Sequence, residues 1–250
     1  MYTSSELFVI PTMFLIFLAI TIMLWLLLRD KSKTAQNVPF IVITLVLIGG
    51  EVAKQIISIK QGYDFWNLPL HFCSTYFIWF ALAEFSFGKM RKSMQNIAFV
   101  ATLYLAVGMY IAPRGIFGDI CENVFADFYS VHSFFFHHLV ILYAMLCIAF
   151  KRFNPNKKDA WVWSLCFAIY FAVAAICAYT LNENFFNILH SENIPPLEPF
   201  RLAVGQIVYN AMLAFVVIFL GAIFIRVAVR IRDKHFTEEE AFSETVDEKY

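Results

Sequence analysis

Charge is scarce in this chain. Only 15% of its 250 residues are Asp, Glu, Lys or Arg, and 19 acidic residues cancel 19 basic ones. A soluble domain carries about 25% charge and roughly 45–50% apolar residues. Here 60% are hydrophobic and the mean hydropathy is +0.67, which excludes an ordinary soluble domain. Zero net charge gives no sign of a nucleic-acid partner. The five cysteines form no CxxC pair, so neither a zinc knuckle nor a redox motif is readable. No HxxxH or HExxH spacing sets two histidines on one helical face, so no metal site is expected. Walker, Rossmann and GxSxG motifs are missing too, and with them the usual cofactor signatures, so no cofactor is expected. The last apolar run has no lysine for a retinal Schiff base. No basic segment or small-residue cleavage site marks the N-terminus, so its apolar run reads as a retained span.

What is present is lipid-compatible sequence. About 20 apolar residues cross the ~30 Å hydrocarbon layer as a helix. Seven stretches qualify: Leu7–Leu28, Val38–Ile59, Pro69–Phe87, Met94–Ala112, Phe128–Phe150, Ala160–Leu181 and Leu202–Ile225. The expected fold is therefore all-α, a polytopic membrane protein of seven transmembrane helices in one domain over residues 1–225. Basic residues alternate strictly between loops. Arg29, Lys31 and Lys33 fill the first connection; Lys89, Arg91 and Lys92 the third; Lys151, Arg152, Lys157 and Lys158 the fifth; Arg226 and Arg230 open the tail. The even connections are acidic. The positive-inside rule then predicts an outer N-terminus and a cytoplasmic tail, 226–250, basic at first and then acidic, without fixed structure. The expected location is the plasma membrane and the expected partners are its lipids; the sequence defines no oligomeric state.

Polar groups inside the layer cost roughly 2.5–3.5 kcal/mol each when ionisable, so their depth is informative. At ~1.5 Å per residue, they gather beneath the outer surface. His71 and Cys73 fall about 3–6 Å down, His132, His137 and His138 about 6–15 Å, and Glu51 about 12 Å, with Lys54 and Gln55 on its face. Asn184, Arg201, Gln206 and Asn210 follow at the outer ends of the last two spans. One-sided clustering is what an outward-facing pocket needs. Pro69 is expected at the first position of the third helix. That would set Cys73 and His71 in its first two turns, where a sulfur nucleophile meets the positive dipole end and an imidazole base is at hand. Structural readings stand beside these. Glu51 and Lys54 read equally as a self-neutralising pair, His137 and His138 as interhelical hydrogen-bonders, and Cys147, Cys166 and Cys177 as small packing residues. His137 and His138 point roughly 100° apart, so they do not share one ligand site. Three functions fit the pattern: an enzyme, a proton- or anion-coupled transporter or solute-binding heptahelical protein, or a non-catalytic scaffold.

The string Leu68-Pro69-Leu70-His71-Phe72-Cys73 resembles the LPLH-x-C signature of the YwaF-like integral membrane family, which includes the eukaryotic transmembrane protein 164. Glu51 in the preceding span, Ala112-Pro113, Phe134-Phe135 with His138, Asn184-Phe185-Phe186 and Pro195-Pro196-Leu197 extend the likeness over about residues 45–200. The family's Asn-Tyr is Asn184-Phe185 here, and either His137 or His138 answers to its histidine. The eukaryotic relative is regarded as a cysteine-using phospholipid acyltransferase. The resemblance therefore implies an acyl-accepting nucleophile at Cys73, a base at His71 or His138, and a supporting carboxylate at Glu51. His137, His132, Asn184, Arg201, Gln206, Asn210 and Lys54 become candidate substrate contacts. An oxyanion would meet free N–H groups near Leu70–Phe72, or Asn184.

Overall fold

In a computed structural model the described residues, 4–191 and 197–247 with side chains described to 234, fold into helices and connecting loops without a strand among them. Nine α-helices follow in order among them: α1 Ser4–Leu28, α2 Lys33–Lys60, α3 Tyr76–Phe85, α4 Gly88–Ile111, α5 Pro113–Phe117, α6 Phe128–Ala149, α7 Lys157–Leu181, α8 Leu197–Val204 and α9 Gln206–Asp247. Six of them (α1, α2, α4, α6, α7 and α9) are long and apolar enough to cross a membrane. Their outward faces carry bare Leu15, Leu45, Leu165, Ile176 and Phe215, a surface suited to hydrocarbon. Inside, α6 packs against α1, α2 and α4, and α7 packs against α9. Aromatic stacking fills the centre, with Phe80 on Tyr143 at 3.8 Å and Trp163 on Phe167 at 3.9 Å.

The third apolar stretch departs from expectation. Its helical part, Cys73–Phe85, rises only about 20 Å, short of the ~30 Å layer. Pro69 does not start it. The carbonyls a helix would use as acceptors are already taken: Trp66 O by His71 Nε2, Asn67 O by Gln55 Nε2 and Leu70 O by the Tyr170 hydroxyl. Leu70 N–H turns back to Leu68 O at 2.7 Å. Residues 61–72 thus run as coil and a 3₁₀ turn along the polar side of α2, and His71 precedes the helix rather than sitting in it.

The final stretch also breaks. Gly205, at φ +82°, parts α8 from α9, a backbone state glycine adopts without strain. The α9 backbone continues to Asp247, and the acidic run at 238–250 lies where side chains are not described.

Polar networks tie together the α3–α4 and α6–α7 connections. Glu84, fully buried, accepts from Tyr143 Oη at 2.7 Å and Arg152 Nη2 at 2.9 Å. Asp159 accepts from Asn96 at 2.8 Å and from Ser93, and closes a capping box with Asn156 at the start of α7.

Candidate functional site

The described residues enclose a cavity of ≈ 840 Å³. Its walls come from the polar side of α2, the coil before α3, the α4–α5 corner, the first three turns of α6 and the loop after α7. Cys73, His71, Glu51, Lys54, His132, His137 and Asn184 all line it, and Trp66, Phe117, Phe136 and Phe186 supply apolar wall.

The α2 wall is ordered first. Lys54 Nζ lies 2.8 Å from Glu51 Oε1, and Gln55 Nε2 donates to the same oxygen at 2.9 Å. Gln55 also donates to Asn67 O at 2.6 Å and accepts from Tyr63 Oη at 2.8 Å, which stitches the coil to the helix. Glu51 Oε2 keeps no hydrogen-bond partner among the described residues; His132 Nε2 lies 3.9 Å from it.

The imidazoles differ in what holds them. His71 Nε2 meets the Trp66 carbonyl at 3.2 Å; a carbonyl only accepts, so that nitrogen carries the proton and Nδ1 keeps the lone pair. The His71 ring rests on Trp66 (4.1 Å between centroids) and Phe185 (5.3 Å). His137 donates through Nδ1 to Ser133 O at 2.5 Å, leaving Nε2 unpartnered in the cavity wall. His132 makes no hydrogen bond among the described residues.

His138 does not join them. It faces the other side of α6, between Phe17, Phe117 and Phe134, and donates through Nδ1 to Phe134 O. The ~100° step between successive helical residues sends only one of the pair inward, and that one is His137.

Arg201, Gln206 and Asn210 also lie apart from the cavity. Arg201 grips Glu198 and donates to Gln206 Oε1 at 2.9 Å, Gln206 reaches the Ile188 carbonyl, and Asn210 donates to Tyr179 Oη at 2.9 Å. They brace the α8–α9 break. Hydrogen bonds from Arg201 and from the Ser191 N–H hold the Glu198 carboxyl down to about 2. Asn184 lines the cavity, but its amide is occupied by His190 and the Leu189 N–H. It is therefore not a free oxyanion donor. The Leu70 N–H is taken as well, whereas those of His71 and Phe72 meet no backbone carbonyl among the described residues.

Cys73 presents a thiol to this cavity without a hydrogen bond to any imidazole among the described residues, and packs against the main apolar core. No group of three or more His, Cys, Asp or Glu gathers as a metal site among the described residues. Sequence reasoning missed Trp66, Ser133 and Phe117. An aromatic in a loop before a proline turn was the one available signal, for Trp66.

These features define a polytopic helical membrane protein with a polar cavity sunk among its helices. The sequence model of the TMEM164 family matches residues 1–225, and the chain belongs to that family. No curated protein and no solved structure matches it.

Proposed function

We propose that the protein is an intramembrane enzyme of acyl lipids that works through a thioester on Cys73. One observation carries this reading: a thiol, three imidazoles and a buried carboxylate line a single cavity of ≈ 840 Å³. The LPLHFC likeness described above supports the same chemistry. With His138 turned away, His71 is the base for the thiol, through its Nδ1 lone pair. The sulfur attacks a donor ester carbonyl, and the oxyanion meets the free N–H groups of His71 and Phe72. The proton on His71 leaves with the donor's alcohol, and a second lipid hydroxyl then takes the acyl group.

In this proposal the chain crosses seven times, with the N-terminus outside and the tail in the cytoplasm, in the plasma membrane. The third crossing is completed by the coil at 61–72. Irregular backbone is tolerated at depth where it lines a polar cavity, which is what that segment does. The alternation of basic loops supports the orientation.

The test replaces Cys73 by Ser and by Ala in membranes, then follows thiol-directed acyl labelling and lipid composition. Loss of both supports the enzyme. Unchanged labelling and lipids in a well-expressed variant overturn it, and proton-coupled flux that survives Cys73→Ala but not Glu51→Gln would make the cavity a transport site.

A further inference from the structure

We propose that His132 is a second base in this cavity, serving the acceptor hydroxyl, and that Glu51 and Gly50 position it. The inference rests on the Cys73 thioester reading and divides its two halves between two imidazoles.

Three observations single out His132. The first is its orphaned pairing. Its Nε2 and Glu51 Oε2 are buried 3.9 Å apart, and neither has a hydrogen-bond partner among the described residues. The second is the rigidity of Glu51. Lys54 and Gln55 both fasten Oε1, so Oε2 is aimed at His132. The third is the bed the ring lies on. A Cβ at Gly50 would sit 3.3 Å from His132 Cδ2 and 3.4 Å from Nε2, so the imidazole rests on bare α2 backbone. Phe128 and Phe136 close its other sides, at 5.9 and 5.4 Å between ring centroids. Unlike His137 and His138, His132 is not tied to a carbonyl of its own helix, so neither nitrogen is committed.

The two protons to be moved differ in difficulty. A thiol is intrinsically a far stronger acid than an alcohol, and the proposal gives it the imidazole of His71 without a carboxylate. A lipid hydroxyl is a much weaker acid than a thiol and needs a base whose imidazolium is stabilised by a carboxylate. Glu51 and His132 are that pair. In the second half-reaction the acceptor O–H proton passes to His132 Nδ1, the ring nitrogen away from Glu51, as its oxygen bonds to the acyl carbon. The C–S bond breaks and its electron pair returns to Cys73. The imidazolium then gives its proton to the thiolate, restoring both groups.

The experiment separates the halves. The full chain in liposomes is loaded with a phospholipid donor alone, and the hydroxylamine-labile acyl adduct on Cys73 is measured by intact mass. A lysophospholipid is then added and the adduct's discharge is timed. His132→Gln, Glu51→Gln and Gly50→Ala are expected to discharge the adduct at least tenfold more slowly, with discharge falling at least tenfold relative to acylation. Discharge at the wild-type rate in His132→Gln, or loss of acylation in parallel with discharge, overturns the assignment. His132→Gln keeps the side chain's volume, so it decides the matter should Gly50→Ala misfold. If no protein, wild type included, ever carries acyl on Cys73, the thioester reading itself fails, and this inference with it.

Discussion

Replacing Glu84 by Gln should destabilise the fold by about 3–5 kcal/mol, the penalty for leaving one member of a buried ion pair without the other. Glu84 is fully inaccessible and Arg152 nearly so, at 10% side-chain exposure, so solvent screens little of the loss. The Arg152 guanidinium lies 3.8 Å over Phe40, where water does not replace a missing carboxylate. Gln still accepts from Tyr143, so the penalty isolates the charge. Arg91, one-third exposed and 3.5 Å away, contributes less. Glu84→Leu combined with Arg152→Met should recover most of the stability, because a buried pair exchanged for apolar groups of similar volume is often neutral. The assay is SDS titration in bicelles, followed by tryptophan fluorescence. A loss below about 1 kcal/mol in Glu84→Gln, or a double variant no better than the single, would refute the reasoning.

Gly221→Ala should be severe, because its Cβ would fall 2.1 Å from Trp163, whose indole is fixed by Val217 and Ile218 carbonyls on α9. A loss of about 1–3 kcal/mol or more is expected from such overpacking, read by the same titration; an unchanged midpoint contradicts the α7–α9 contact. Glu198 makes a pH prediction. Its carboxyl is depressed from 4.5 to about 2, so its tie to Arg201 stabilises the α8–α9 joint fully above the ordinary value and is lost as pH falls through about 2. Hydrogen exchange at 197–209 should stay slow at pH 4 and rise only near pH 2; release already at pH 4.5 would refute the tie.

Much of this arrangement was legible in the sequence. Six of the seven expected stretches form helices long and apolar enough to cross a membrane, and they were readable because hydropathy and length together decide this. The Glu51–Lys54–Gln55 face followed from helical spacing alone, and so did the divergence of His137 and His138. The start of the third helix was misread because hydropathy counts apolar residues without counting acceptors. Gln55, Tyr170 and His71 capture the carbonyls of Asn67, Leu70 and Trp66, and those captures come from residues up to 100 positions away. Arg201, Gln206 and Asn210 were grouped with the pocket by depth, yet depth carries no azimuth, and they face the α8–α9 joint instead. Glu84 and Asp159 were overlooked although both are buried acids at the ends of apolar runs, where an intramembrane charge announces a partner.

The account depends on the hydrophilic residues opening together toward the outer surface. Cysteines introduced at Ser133 and Ser74, in a chain cleared of its five native cysteines, report this directly in right-side-out vesicles. A membrane-impermeant thiol reagent added outside should label both, and should leave a cysteine at Ser93, beside Asp159, unlabelled until the inside is exposed. Silence at Ser133 and Ser74, or labelling of either from the inside alone, would contradict the account.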